Sequence, residues 1–214
     1  MPKNFSTGYN IMFAAAVCVF WSILVSTSAV TLKDRQDENI RFDKQRNILY
    51  AAGLSKPGGE DTRKDMIKKY EDSIRGYVVD RKTGEIQEDM DAGSFDQRIA
   101  TGDPKQSEAA PANEAKVARL PNNALVYHVM EGEEVKALVL PIVGGAMWST
   151  VYGFLALDAD TKTIKGVSFY EHQETPGLGA EIENPKWTAQ WIGREVLGTD
   201  FKPVFGVKKG GAGP

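Results

Sequence analysis

The pattern of apolar and polar positions divides the chain into two parts. Residues 11–32 (IMFAAAVCVFWSILVSTSAVTL) contain no charged side chain, whereas charged residues are spread through the chain after residue 32. A helix of this length rises about 33 Å, enough to cross the hydrocarbon layer of a membrane. The apolar region of a cleaved signal peptide is usually shorter, about 7–15 residues. We therefore predict an uncleaved transmembrane helix over 11–32, after a short segment 1–10 and before a helical stalk over 33–53.

The stretch from 54 to 120 is predicted to hold a helix, a hairpin and a surface excursion. Thr62 followed three residues later by Asp65 resembles a capping box, which marks the start of a helix. Short apolar runs flank Arg81-Lys82-Thr83-Gly84, a pattern typical of a hairpin. Residues 91–120 are rich in Asp, Gly, Ser, Ala and Pro and show little periodicity, which indicates a long excursion over the surface.

The second half of the chain has a regular strand pattern. Four strands are predicted, over 124–130, 135–142, 148–157 and 164–171. The short connections between them favour antiparallel pairing. Asn184 followed by Pro185 predicts a helix start, with the helix continuing to Gly198, and a further strand is predicted over 201–207. The fold class is therefore α+β, a single transmembrane helix followed by an antiparallel sheet with helices packed on one face. The domain over 121–214 ends on a glycine run after a strand, so we expect it to be incomplete at its C-terminus.

Composition excludes several functions. With 26 basic and 29 acidic residues the net charge is −3, which does not suit binding to nucleic acid. Cys18 is the only cysteine, so the chain contains neither an internal disulfide nor a CxxC metal motif. No GxSxG motif of a serine hydrolase is present.

The chemically richest stretch is YEHQETPGLGAEIENPKW, residues 170–187. Glu171 and Glu174 are a possible acid–base pair, but nothing in the sequence supplies a sugar-binding cleft. His128 and His172 are the only histidines, and we expect a partly buried strand residue and an exposed loop residue rather than metal ligands. We therefore predict neither catalytic residues nor a metal site.

A cofactor loop remains open as an interpretation of this stretch. Gly177 and Gly179 bracket Leu178, and a backbone without side chains can approach a flat ligand closely. Trp148, which follows a glycine pair, is either a second wall for such a ligand or an inward tryptophan of the sheet. Spacing alone does not decide between these interpretations.

The sequence resembles a known family over essentially its whole length. The resemblance rests on YEHQETPGLGAEIENPKWTAQWIG, LPIVGGAMWSTVYGFLAL and FKPVFGVKKGGAGP, together with the lone N-terminal span. The chain is similar to the C-type subunit of the sodium-translocating NADH:quinone reductase. The related G-type subunit of the ferredoxin-oxidising electron transport complex also carries an ETPGLG loop, but the long stretch over 54–120 favours the C-type protein.

The resemblance implies an FMN-binding domain on the periplasmic side of the bacterial inner membrane. In such a complex electrons pass from NADH to ubiquinone and sodium is exported, and the C-type protein alone catalyses nothing. The implied partners are the other subunits, the lipid bilayer and a flavin transferase that attaches FMN. A membrane-anchored scaffold without redox function is the alternative from a different class.

The resemblance also implies a set of cofactor-binding residues. They are Gly144, Trp148, Glu174, Thr175, Gly177, Leu178 and Lys209. In the family, FMN is linked through its phosphate to a threonine of an S-G-A-T type motif. No such motif occurs in these 214 residues, so we expect the attachment point to lie beyond Pro214.

Overall fold

A computed structural model describes residues 6–200 and 202–207. Its first element is a single helix, α1, Thr7–Ala52. Among the described residues, α1 alone is long and apolar enough to cross a membrane. The chain forms two compact units, Met1–Asp43 and Lys44–Pro214. The segment predicted as a stalk is thus divided, because its residues from Lys44 onward belong to the second unit.

The second unit is built on an antiparallel sheet. Its helices and strands are α2 Arg63–Ser73, β1 Ile74–Asp80, α3 Gln97–Gly102, β2 Ser107–Ala109, β3 Arg119–Pro121, β4 Asn123–Glu131, β5 Glu134–Gly145, β6 Thr150–Asp158, β7 Ile164–Glu171 and α4 Pro185–Thr188. Single 3₁₀ turns cover Gly179–Glu183 and Ala189–Trp191. The main sheet has the order β1-β4-β5-β6-β7, and β2 pairs with β3 separately. The α+β class with an antiparallel sheet is confirmed.

One face of the main sheet is covered by the last turns of α1. The carbonyl of Ala51 approaches Gly166 of β7 so closely that a Cβ on Gly166 would lie 2.3 Å from the Ala51 oxygen. The hydroxyl of Ser168 donates a 2.7 Å hydrogen bond to Asn47 Oδ1 in the buried interior. Ile48 and Leu49 of α1 are fully buried. The end of α1 is therefore fixed to β7 by close packing and a buried hydrogen bond.

The opposite face is covered by the segment after β7. Phe169 contacts Trp187 and Trp191 with ring centroids 6.1 and 5.9 Å apart. Because consecutive strand residues point to opposite faces, Ser168 and Phe169 show that helices cover both faces. The expectation of helices on one face only is wrong, because a sheet with apolar residues on both faces needs two covering layers.

The main predicted elements of the second unit are confirmed, with two exceptions. The strand predicted over 201–207 is wrong for the described residues 202–207, which form only an isolated bridge between Pro203 and Leu197. The other exception is the length of the helix after Asn184. The four strands are β4 to β7, and Thr62 caps α2 with both hydrogen bonds of a capping box. The predicted helix does begin after Asn184, but α4 ends at Thr188. Beyond the following 3₁₀ turn the chain pairs with the edge of β7, where Ile164 N donates to Arg194 O at 2.8 Å. Edge pairing replaces the helix there because it satisfies backbone groups of an open strand.

Candidate functional site

Two connections meet at one end of the main sheet. The turn Ala146–Ser149 joins β5 to β6, and the segment from His172 to Leu178 leaves the end of β7. The pairing of Tyr152 with Glu171 brings these two connections to the same end of the sheet. This is the region to which the sequence assigned its candidate cofactor residues.

A single buried carboxylate joins the two connections. Glu174 is 9% exposed. Its Oε1 accepts hydrogen bonds from the backbone N–H groups of Trp148, at 3.0 Å, and Ser149, at 3.3 Å. Hydrogen bonds from neutral N–H groups to a carboxylate are among the stronger ones in proteins. Glu174 therefore fixes the β5–β6 turn relative to the loop that follows β7.

Further contacts tighten the same junction. Ser149 Oγ accepts a 2.8 Å hydrogen bond from Gln173 N. A Cβ added to Gly179 would lie 2.8 Å from Glu174 Cβ and Oε2, so the backbone at Gly179 passes directly over that side chain. Glycine is required at 179 because any larger residue would displace the carboxylate.

His172 supports the loop from within, and the expectation of an exposed loop histidine is wrong. Its side chain is 9% exposed. Its Nδ1 accepts a 3.1 Å hydrogen bond from Glu174 N, which requires Nδ1 to be unprotonated. Nε2 lies 3.0 Å from Glu183 Oε1. The imidazole ring is therefore part of the turn, where it accepts a hydrogen bond from the backbone N–H of Glu174.

An apolar cleft of about 370 Å³ opens beside this junction. It is lined by Ile142, Val143, Gly144, Gly145, Ala146, Val151, Phe169, Glu174, Gly179, Ile182 and Trp191. Its size lies within the usual range for small-molecule sites, about 300–1,000 Å³. The carboxylate of Glu174 is already used by the backbone, so the remaining lining is largely hydrocarbon and glycine backbone.

Large apolar side chains next to this cleft are exposed. Met147, Trp148 and Leu178 are 81%, 70% and 74% exposed. Trp148 lies two residues after a cleft-lining alanine, and Leu178 directly precedes the cleft-lining Gly179. The interpretation of Trp148 as an inward tryptophan of the sheet is wrong. Trp148 lies in the turn between β5 and β6, outside the sheet, and its side chain is exposed. Exposed apolar clusters of this kind mark binding surfaces.

The backbone between Thr175 and Leu178 forms a tight turn. The carbonyl of Thr175 accepts hydrogen bonds from Leu178 N at 3.0 Å and from Ala180 N at 3.2 Å. Gly177 has φ +74°, a conformation that side chains disfavour, and a Cβ placed on it would meet no atom within 4 Å. The turn therefore presents Leu178 outward with open space beside Gly177.

The predicted surface excursion contributes to the site, which the sequence did not indicate. Arg98 of α3 stacks on Tyr152 at 3.6 Å from the ring centroid and donates to Glu171 Oε2 at 2.9 Å. It also donates to the hydroxyl of Tyr170, whose pKa is raised by burial. Further along, Ala115 O accepts a 2.6 Å hydrogen bond from Gly145 N. Residues 97–116 thus brace the ends of β5, β6 and β7.

Of the site residues implied by the resemblance, Gly144 and Glu174 line the cleft. Trp148 lies in the β5–β6 turn, and Thr175, Gly177 and Leu178 lie in the loop after β7, the two connections that Glu174 joins. Lys209 lies outside the described residues. The sequence did not indicate Ser149 or the 97–116 segment, and it marked Gly179 as a glycine beside Leu178 but not as the residue that passes over Glu174.

Comparisons with known proteins agree with this architecture. The profile of the FMN-binding domain family matches residues 146–212. The C-type subunit of the Na⁺-translocating NADH-quinone reductase from Vibrio anguillarum is 38% identical over 212 residues, which cover 98% of this chain and 80% of the relative. The protein of the same name from Pseudomonas aeruginosa is 38% identical over 216 residues, which cover 100% of this chain and 82% of the relative.

Solved structures give the same result. The crystal structure of NqrC from Shewanella oneidensis matches with a TM-score of 0.69 and 31% identity, covering 79% of each chain. The C-type protein of the Na⁺-translocating NADH-quinone reductase from Parabacteroides distasonis matches with a TM-score of 0.64 and 25% identity, covering 85% of this chain and 79% of that one. With identity above 30% over most of the length of its relatives, the chain belongs to the NqrC family of the Na⁺-translocating NADH-quinone reductase, and its cofactor is FMN.

Proposed function

We propose that this chain carries one FMN in the path of electrons from NADH toward ubiquinone, within a membrane complex that exports Na⁺. The observation that carries the proposal is the exposure of Trp148 and Leu178 beside a glycine-lined apolar cleft, with both loops tied to the buried Glu174. Large apolar side chains that are exposed to water on rigidly held loops are typical of a binding site for another molecule.

The residues present fit FMN. The isoalloxazine ring is flat and largely apolar on its faces, and aromatic and aliphatic side chains such as Trp148 and Leu178 suit those faces. The open space at Gly177 lets backbone groups approach ring carbonyls without a side chain in the way. FMN supplies the uptake and release of electrons, while the protein binds the ring, orients it and limits its contact with water.

Each proposed site residue has a distinct task. Glu174 holds the two loops in register rather than facing the ring, since its Oε1 is occupied by backbone N–H groups. Thr175 and Gly177 form the turn that presents Leu178. Gly144 lines the cleft without a side chain. By resemblance, Lys209 provides a positive charge near the ring or phosphate.

The attachment and location of the domain extend this proposal. We propose that FMN is esterified through its phosphate to the threonine of an S-G-A-T type motif, which these 214 residues do not contain, by a separate flavin transferase. We also propose that the apolar part of α1 anchors the chain in the bacterial inner membrane with the second unit in the periplasm. The length and apolar composition of α1 support the anchor.

The substitution Leu178→Arg tests the site. Leu178 is 74% exposed, so the change removes no core contact, but a charged side chain is a poor cover for a ring face. In the assembled complex, with this chain still present, we expect quinone reduction to slow at least about tenfold. A tenfold slower rate corresponds to an activation free energy higher by about 1.4 kcal/mol. Ile86→Arg is the matched control, because Ile86 is 48% exposed beside β1 at the other edge of the sheet.

Turnover equal to the wild type in the Leu178→Arg complex would remove Leu178 from the flavin site. Loss of this chain from the complex in both arginine variants would show a general effect of the charge on assembly. The visible spectrum of the purified complex separates these results, because it reports flavin content independently of turnover.

A further inference from the structure

The cleft lies on the face of the main sheet that carries Phe169. Ile142 of β5 is paired with Gly153 of β6, and Gly153 is paired with Phe169 of β7, so all three belong to one face. A Cβ on Gly153 would lie 3.0 Å from Phe169 Cδ1 and 3.4 Å from Ile142 Cγ1. Because residue 153 has no side chain, the Phe169 ring lies over β6 and approaches Ile142. Both side chains line the cleft, so the Phe169 ring forms part of its surface.

A tryptophan adjoins the Phe169 ring in the lining of the cleft. Trp191 lines the cleft and is half-buried. Its ring centroid lies 5.9 Å from that of Phe169, 5.1 Å from that of Trp187 and 4.6 Å from that of Phe205. These distances are typical of packed aromatic pairs. Three aromatic rings therefore hold Trp191 in place, while part of its indole ring stays accessible from the cleft.

The three tryptophans of this region differ in their support and in their access to the cleft. Trp148 is 70% exposed in the β5–β6 turn and has no contact with another aromatic ring among the described residues. Trp187 contacts Phe169 and Trp191 but does not line the cleft. A side chain that is already fixed loses less conformational entropy when a ligand binds against it. Trp191 alone combines a fixed ring with a position in the cleft lining.

We propose that Trp191 is the aromatic side chain against which the flavin ring packs in this cleft, with Phe169 beside it. The inference rests on the proposed function, since it requires FMN in the cleft. It assigns a direct cofactor contact to the 3₁₀ turn Ala189–Trp191, which the sequence predicted only as part of a helix. It also places the ring on the Phe169 face of the sheet, whereas Trp148 can cover the ring only from the β5–β6 turn.

Contact between an indole ring and a flavin ring has an optical consequence. The indole donates one electron to the light-excited flavin, and the electron then returns to the indole, so that little light is emitted and neither group is changed. This quenching requires the two rings to lie close together. A tyrosine ring can donate in the same way, whereas a phenylalanine ring is too difficult to oxidise. The fluorescence lifetime of the flavin therefore reports whether Trp191 contacts it.

The flavin fluorescence lifetime of the full-length, flavin-loaded protein tests the inference. Because Trp148 is a second electron donor beside the cleft, all substitutions are made together with Trp148→Phe. We expect the Trp148→Phe protein to remain quenched, and the addition of Trp191→Phe to lengthen the lifetime severalfold. Trp187→Phe is the matched control, because Trp187 contacts the same aromatic rings without lining the cleft. Trp191→Tyr restores a donor at the same position and should keep the lifetime short.

Two results overturn the inference while leaving the flavin function intact. One is an unchanged lifetime when Trp191→Phe is added to Trp148→Phe. The other is a Trp148→Phe protein whose lifetime is as long when folded as after unfolding in denaturant, which would place the ring against Trp148 alone. This second measurement decides the matter even if the Trp191→Phe protein does not fold. A wild-type protein without flavin would instead contradict the proposed function itself.

Discussion

Replacement of Glu174 by alanine tests the junction that holds both loops of the site. The substitution removes the acceptor of the Trp148 and Ser149 N–H groups, at 3.0 and 3.3 Å, and leaves a gap under Gly179. Glu174→Gln keeps a neutral oxygen acceptor of the same length. Glu133→Ala serves as control, because Glu133 is an exposed acid in the turn between β4 and β5.

The expected loss follows from the hydrogen bonds. A hydrogen bond to a charged group contributes roughly 1.5–3 kcal/mol. The two N–H groups share one oxygen and lie at the end of the sheet, where water can reach them after truncation. We therefore expect Glu174→Ala to cost about 2–3 kcal/mol, and Glu174→Gln about 1 kcal/mol. For a domain of this size, 2–3 kcal/mol corresponds to a fall in Tm of roughly 5–10 °C.

Thermal unfolding of the full-length protein, followed by circular dichroism, measures this loss. Flavin fluorescence anisotropy in the same samples reports whether the ring becomes mobile when the loops lose their bridge. We expect both signals to change in Glu174→Ala and neither in Glu133→Ala. A Glu174→Ala protein with the Tm and anisotropy of the wild type would refute the bridging role.

Two further predictions concern the core of the second unit. Gly166→Ala should cost at least about 2 kcal/mol, because its Cβ would lie 2.3 Å from Ala51 O, whereas Gly102→Ala, which meets no atom within 4 Å, should be close to neutral in chemical denaturation. Tyr127→Phe should be neutral or stabilising by up to about 1 kcal/mol in the same assay, because the buried Tyr127 hydroxyl has no hydrogen-bond partner among the described residues. A large loss in Tyr127→Phe would show that the hydroxyl is satisfied, and a neutral Gly166→Ala would show that α1 does not pack as described.

The fold was largely predictable because each strand of the second half is a short apolar run between turn residues. In β4 a short run of apolar, strand-favouring residues marks the strand, and the structure buries alternate members of it, Leu125, Tyr127 and Val129. The length of the helix after Asn184 was overestimated. Sequence periodicity does not show that the following residues can instead pair with the open edge of the sheet at β7.

The site was predictable only in part. Glycine and proline spacing marked the turn at 175–178, since backbone freedom is a local property of the residues. The inward position of Glu174 depends on a partner 26 residues away, and the hydrogen bond from Gly145 N to Ala115 O joins two elements that the sequence separates. Such long-range pairs follow from topology, which composition and spacing do not encode.

The cleft beside Trp148 and Leu178 is proposed to hold a flavin that belongs to this chain. The most direct measurement is the purification of the natural full-length protein from its source membrane, followed by ultraviolet imaging of a denaturing gel. We expect a yellow preparation and a fluorescent band at the mass of this protein, because FMN is proposed to be covalently linked. A colourless preparation with a dark band would contradict it.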